Sequence, residues 1–355
     1  MKGARGRGAT ENHLSSRFDD TIRISDGDWL DGQEAVDGAQ SQTRTEVTPE
    51  VAKSAITFNR SPDIPFDRSI NAFRGCEHGC IYCFARPTHA YHNLSPGLDF
   101  ETKLFVKENV AEVLRDELAR PSYHVSPIAL GTNTDPYQPI ERRYELTRRI
   151  LEVLSDHDHP VTITTKSAAV TRDLDILGPM AAKNLVTVVL SITTLDAALA
   201  RKLEPRASAP AKRIEAIGKL ADSGVQTHVG VSPVIPGITD HEIERIIEAA
   251  AAAGATGAFS LMVRLPHEVS PLFRAWLAKH YPERLQKVMH LINDSRGGRD
   301  NDPNFFSRMS PTGPYAELLR SRFLLACKRS GLVHDRMRLR TDLFQRPSAA
   351  QLRLL

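Results

Sequence analysis

Cysteine is scarce in this chain: there are four in 355 residues, and three of them fall within eight positions. A disulfide framework would spread an even number of cysteines through a short exported domain. This usage argues instead for a metal in a reducing compartment. Long apolar runs are also missing. The longest, 249–261, is interrupted by Gly254 and Gly257 and follows Glu248, so it is too short and too broken to span a bilayer. No apolar stretch follows the basic residues Lys2, Arg5 and Arg7, so no secretory signal is expected and the expected address is the cytoplasm. A strong net charge is lacking too, at +3, but the charge is unevenly placed. Residues 296–355 carry twelve Lys/Arg against five Asp/Glu, a surplus that can attract nucleic acid or simply solvate a surface.

What is present is the composition of a globular protein, 41% hydrophobic and 25% charged, with length enough for a sizeable core. Residues 1–58 have no sustained apolar period and read as a flexible N-terminal arm; the run 3–8 of alternating Gly, Ala and Arg could touch phosphates. Residues 59–295 read as an α/β core and 296–355 as a basic helical extension. Short β-branched runs predict strands at 127–131, 161–165, 185–192, 226–231 and 258–263, with one more before Cys76. Helical periods lie between them near 106–119, 140–156, 170–183, 194–222 and 239–253. The helix at 140–156 shows a stripe of Tyr144, Thr147, Ile150, Leu151 and Leu154. Gly178, Gly224 and Gly254 are placed near helix ends, where a left-handed cap suits glycine. This alternation implies right-handed βαβ units and a parallel sheet. Six such units suit an α/β, incomplete (β/α)6 TIM-like barrel better than the closed eight-stranded one. Ligands in such folds gather at the carboxyl ends of the strands.

The strongest chemical signal is Cys76-x3-Cys80-x2-Cys83. Soft thiolates this close in sequence can serve one metal centre. A structural zinc normally fills four ligand positions, and no second Cys-x-x-Cys exists; His78, His89 or His92 could supply a fourth. Three thiolates on a four-iron cube would instead leave one iron open, as a reactive site needs. The motif, with Tyr82 before the last cysteine, resembles the signature of the radical S-adenosylmethionine superfamily. Segments 131–137, 165–167, 191–194, 203–206 and 233–237 resemble the spore photoproduct lyase branch and its bacterial relatives.

That resemblance implies a partial barrel, a [4Fe–4S] cluster on Cys76, Cys80 and Cys83, and S-adenosylmethionine chelated at the open iron. One-electron cleavage would release a 5′-deoxyadenosyl radical that abstracts hydrogen from a substrate, for which nucleic acid is a candidate. It further implies Tyr82 beside the adenine, Thr132 and Asn133 near the cofactor's amino group, Lys166 on its carboxylate and Ser191 in contact with it. A small electron donor such as flavodoxin or ferredoxin is implied as partner. Lyases of this branch that use a cysteine as hydrogen donor place it near the second strand, whereas no cysteine occurs here between Cys83 and Cys327, a departure that weighs against thymine-dimer repair. The competing reading is a zinc- or iron–sulfur-binding, nucleic-acid-associated protein without radical catalysis.

Other residues are weaker candidates. Asp135 reads equally as a helix N-cap or a ligand, and Glu204 and Arg206 as an ion pair or a substrate contact. The loop 296–299 reads as an exposed linker that could close over an anion. Cys327 shares a helical face with Leu319, Phe323 and Ala326, which favours a buried structural thiol. The cluster 157–159, His-Asp-His before Pro160, reads as a polar turn.

Overall fold

The β-branched runs do become strands. The structure is a computed structural model and describes residues 7–9, 12, 44–333 and 338–347. The strands, in chain order, are β1 (Glu46–Glu50), β2 (Thr57–Phe58), β3 (Arg68–Ile70), β4 (Phe73–Arg74), β5 (Lys103–Lys107), β6 (Ile128–Leu130), β7 (Val161–Thr165), β8 (Val186–Ser191), β9 (Gln226–Val234) and β10 (Gly257–Met262). Seven of them form one sheet in the order β10-β9-β8-β7-β6-β3-β2. The six from β3 to β10 in that sheet run parallel, and only β2 is antiparallel, against β3. This is the expected incomplete six-unit βα arrangement. Its strands are buried because helices cover them: β3 and β6 are buried at every residue and β8 at all but one.

The helices differ in detail from the expected spans, each for a local reason. The stretch 140–156 is two helices, Glu141–Tyr144 and Leu146–Asp156, broken at Glu145 with φ +50°. The break lets the Glu141 carboxylate accept from the Thr147 N–H at 3.0 Å. Of the expected stripe, Thr147, Ile150, Leu151 and Leu154 are buried and Tyr144 is half-buried. The stretch 194–222 is likewise two helices, Ala197–Leu203 and Pro210–Asp222. Two prolines explain this, since Pro205 cannot continue the first and Pro210 opens the second at a position that suits it. Gly224 and Gly254 have φ of +74° and +99°, as expected, but Gly178 lies inside the helix Leu174–Ala182 rather than at its end.

A second, three-stranded sheet was not foreseen. In it β5 is flanked by β1, parallel, and β4, antiparallel. β1 lies in the segment read as a flexible arm. It is an edge strand with three of five residues exposed and none buried, so it carries no apolar alternation for a sequence reading to find. Arg7–Ala9 is also docked: the Gly8 and Ala9 N–H groups donate to the Glu101 carboxylate at 3.0 and 2.8 Å. The other residues of the arm before 44, Asn12 apart, lie outside the described residues. At the other end of the chain, the helix Pro314–Ser330 buries Leu319, Phe323, Ala326 and Cys327 together. The Cys327 thiol is pushed up to about 11 by burial, which fits an inert structural role. Among the described residues no helix is long and apolar enough to cross a membrane.

Candidate radical active site

The cysteine loop leaves β4 at Gly75 and runs inward. Cys76 and Cys80 are buried and Cys83 is half-buried. Burial pushes all three thiols up, and the carboxylates of Asp135 beside Cys76 and Glu204 beside Cys80 add to the effect. They therefore stay protonated until a metal draws the protons off. The loop turns at Gly79, φ +66°, where a side chain's Cβ would lie 2.8 Å from a Glu101 carboxylate oxygen, so only glycine fits without a shift.

One side chain fastens this loop. Arg86 is fully buried, ion-pairs with the fully buried Glu101 at 2.6 Å, and donates to the carbonyls of Gly79, Cys80, Pro96 and Gly97 at 2.9–3.1 Å. Gln138, also fully buried, holds the loop's entry: its Oε1 accepts from the Glu77 N–H at 2.8 Å and its Nε2 donates to the Gly75 carbonyl at 3.2 Å.

The carboxyl ends of the strands meet this loop. After β3, Asn71 Oδ1 accepts from the N–H groups of Asn133 and Thr134 at 3.0 and 3.3 Å, and its Nδ2 donates to Thr132 Oγ1 at 3.1 Å. The loop after β6 starts at Gly131, φ +85°, where an added Cβ would lie 1.9 Å from the Thr164 carbonyl. Asp135 brackets the next strand end, accepting from Thr165 Oγ1 at 2.6 Å and the Lys166 N–H at 2.7 Å, with His78 Nδ1 at 3.3 Å. Burial opposes its ionisation, but His78 and these donors outweigh burial and hold its carboxyl below the usual range. Asp135 also accepts the Tyr137 N–H at 2.9 Å and so closes its own turn as well as clasping the strand end.

At the centre stands Glu204. Its side chain is fully buried, yet its carboxyl is held at about 2: burial opposes ionisation, while Arg213, Lys166 and the Tyr82 hydroxyl overcome it. Arg213 lies 2.7 Å from Oε1, Lys166 Nζ lies 3.2 Å from Oε2, and Tyr82 donates to Oε2 at 2.5 Å. Lys166 Nζ also reaches Thr193 Oγ1 and the Ser232 carbonyl, each at 3.1 Å, and sits 5.6 Å from the centre of the Tyr82 ring. The three hydrogens of an ammonium are thereby all engaged. Any carboxylate arriving from a cofactor must displace one of these contacts. Ser191, at the end of β8, is buried and its carbonyl accepts from Arg213 at 2.8 Å.

The structure therefore gathers Tyr82, Lys166 and Ser191 around one polar network, and sets Thr132 and Asn133 on the neighbouring loop under Asn71. Glu204 does form an ion pair, though not with Arg206, which binds Glu77 at 2.8 Å and so braces the cysteine loop. Asn71, Arg86 and Gln138 have no signal in the sequence, and Thr193 has one only as part of the segment 191–194. Arg213 leaves a trace as a charge on the apolar stripe with Ala216, Ile217 and Leu220. The turn 157–159 is structural. His159 is buried, takes the Tyr123 hydroxyl at 2.7 Å and is pushed down to about 4 by burial, while Asp158 pairs with Lys183. In the loop 296–299 the linker reading fails at its first residue, since Arg296 is buried.

The residues present fit the expected cluster. The donors are soft thiols on one short loop, each needing a metal to ionise, as cluster ligation requires. The histidines considered as a fourth zinc ligand have neighbours of their own. His78 faces Asp135, His89 Nε2 meets the Lys103 carbonyl at 2.9 Å, and His92 packs on Phe105 at 4.8 Å between ring centres. Among the described residues no three His, Cys, Asp or Glu side chains converge as ligands of a single ion.

Residues 70–250 match the model of the Radical SAM superfamily. An uncharacterised protein of Mycobacterium tuberculosis is 40% identical over 246 residues, covering 68% of this chain and 72% of that one. A Methanocaldococcus jannaschii protein is 28% identical, covering 69% and 88%. A radical SAM Nα-GlyT isomerase of Pseudomonas phage M6 is 25% identical over 226 residues, covering 63% and 45%. Among solved structures, spore photoproduct lyase complexed with dinucleoside spore photoproduct superposes with a TM-score of 0.58 at 14% identity, over 81% of each chain.

Proposed function

The chain belongs to the radical SAM superfamily, and from that membership we propose that it binds a [4Fe–4S] cluster through Cys76, Cys80 and Cys83 and uses S-adenosylmethionine to start radical chemistry on a nucleic-acid substrate. When bound, the cluster and S-adenosylmethionine together supply one-electron cleavage of the sulfonium and a 5′-deoxyadenosyl radical that takes a hydrogen atom. The observation that carries the reading is the placement of three thiols, two buried and one half-buried, on one loop beside the carboxyl ends of the parallel strands, where Lys166, Ser191 and Thr132 also lie.

The chain's own residues hold and shape the site. Arg86 and Glu101 fix the path of the loop that carries the three thiols. Lys166 offers a cation for the cofactor's carboxylate by exchanging one of its contacts to Glu204, Thr193 or the Ser232 carbonyl. Tyr82 presents a buried ring whose hydroxyl, pushed well up by burial and by Glu204, stays protonated. Thr132 and Asn133, fixed by Asn71, offer short polar groups for an amino group. A small reductant of the flavodoxin or ferredoxin type would deliver the electron in a cytoplasmic, reducing setting. The nucleic-acid assignment is supported by the likeness in fold to a lyase solved with a dinucleoside lesion and by the surplus of basic residues in 296–355. The lack of a cysteine between Cys83 and Cys327 points to a reaction other than that lyase's.

Anaerobic purification and reconstitution with iron and sulfide test the proposal. Broad brown absorbance, followed on reduction by methionine and 5′-deoxyadenosine from S-adenosylmethionine, is the expected result, with Cys80→Ala losing the cluster but not the fold. Stoichiometric zinc with no colour, or an intact reduced cluster that leaves S-adenosylmethionine uncleaved, overturns it.

A further inference from the structure

Among the described residues, two guanidinium groups near the mouth of the site have no carboxylate within ion-pair distance. Arg296 is buried, with 6% of its surface exposed. Its Nη1 and Nη2 donate only to backbone carbonyls, of Arg308 at 3.1 Å and of Val263 at 2.8 Å, and its buried Nε has no partner. Arg264 follows the carboxyl end of β10 and is half-buried. Among the described residues it has no carboxylate within ion-pair distance, and its guanidinium lies 5.4 Å from the centre of the Phe84 ring. Phe84 is the residue after Cys83, so this cation borders the cysteine loop itself.

The nearby acids are already committed. Asp63 gives both oxygens to Arg308, at 2.7 and 2.6 Å, and accepts the Phe306 N–H at 3.0 Å. Asp302 serves the N–H of Asn304 at 2.9 Å and the Ser307 hydroxyl. Burial holds both guanidiniums below their ordinary range, helped by repulsion from Arg308 at Arg264 and from Arg264 at Arg296, which stands at about 10. An arginine left buried without a counter-charge is costly, and a doubly bonding oxyanion is the group its planar fork fits. Beside these cations stand three exposed rings, Phe84, Phe305 and Phe306, at 51%, 53% and 63% exposure. Arg308 stacks on Phe305 at 4.8 Å. Cations with exposed aromatic faces are the elements that hold single-stranded nucleic acid.

We propose that Arg264 and Arg296 bind a phosphate of a nucleotide whose base stacks on Phe305 or Phe306, at the entrance bordered by Phe84. The assignment rests on the nucleic-acid reading above and names the residues that carry it out. The same chemistry could come from a free nucleotide or from a strand, and competition separates the two.

The test is equilibrium binding of a fluorescent single-stranded oligonucleotide to the full chain across a salt series. Unlabelled thymidine 5′-phosphate, thymidine and inorganic phosphate serve as competitors. Arg264→Gln, at a half-exposed position, should weaken strand binding by about tenfold and lower the salt slope by about one. Phe305→Ala and Phe306→Ala should weaken it with the slope unchanged. Arg296→Lys serves as the second cation variant, with a circular-dichroism melt to confirm folding. Efficient competition by thymidine 5′-phosphate but not thymidine identifies a free nucleotide; competition only by the unlabelled strand identifies a polymer. Inorganic phosphate competing as well as the nucleotide overturns the nucleotide assignment. Unchanged strand binding in folded Arg264→Gln and Arg296→Lys overturns the subsite and leaves the nucleic-acid reading standing. A folded wild type that binds neither strand nor nucleotide removes both.

Discussion

At Glu204 two cations, Lys166 and Arg213, meet one buried carboxylate, and its charge is what makes both tolerable there. Glu204→Gln would leave a fully buried guanidinium facing a neutral amide, a change that costs about 3–5 kcal/mol when a buried pair is broken from one side. The wild-type stability from this group is complete above about 4.5, the ordinary carboxylate value, and is lost as pH falls towards about 2, where the folded carboxyl takes up its proton. Urea titrations of wild type and Glu204→Gln should therefore differ most near neutrality and converge in acid; curves that stay parallel at pH 3 would refute the assignment. The segment 203–206 stands out in the sequence by its resemblance to a family, but the ion-pair partners of Glu204 are Arg213 and Lys166 and not Arg206. Arg206 was nearer in the chain, whereas Arg213 reaches Glu204 from the next helix. A single charge on an apolar helical stripe was the available sign, and it reads as an imperfection until the partner is known.

At the scale of the element, the cysteine loop is an irregular segment whose shape comes from Arg86 more than from its own turns. The sequence signals the three thiols because their spacing is chemical. It gives no sign of Arg86, because one arginine satisfying four carbonyls of a loop has no periodicity. Arg86→Ala should lower stability by about 3–5 kcal/mol, since Glu101 would remain buried without the ion pair Arg86 gives it. It should also reduce iron bound after anaerobic reconstitution although all three cysteines remain. A melting temperature lowered with full iron content would show that the loop holds its shape without this clamp. The helices teach a related lesson. Periodicity found their apolar faces correctly, but Glu145, Pro205 and Pro210 set where each one breaks.

For the whole molecule, strand order and the face bearing the site follow from alternating β and α segments, because burying a parallel sheet leaves few alternatives. The small sheet was hidden because β1 is exposed and β4 is only two residues long. Global stability should also respond to two buried histidines, His89 and His159, both pushed down to about 4 by burial. Between about 6.5 and 4 the unfolded chain takes up protons at these sites that the folded chain refuses, so stability should fall with pH across that window. A metal-free protein whose melting temperature is flat from pH 7 to 4.5 would contradict this.

The seven-stranded sheet ends at β10 on one side and β2 on the other, and among the described residues these two strands do not pair. A closed cylinder admits a ligand only along its axis, so a long chain would have to be threaded by an end or bulged into the opening. A cylinder with a missing wall can be loaded from the flank. If the substrate is a polymer, an internal residue is then as accessible as a terminal one, and release needs no travel along its length.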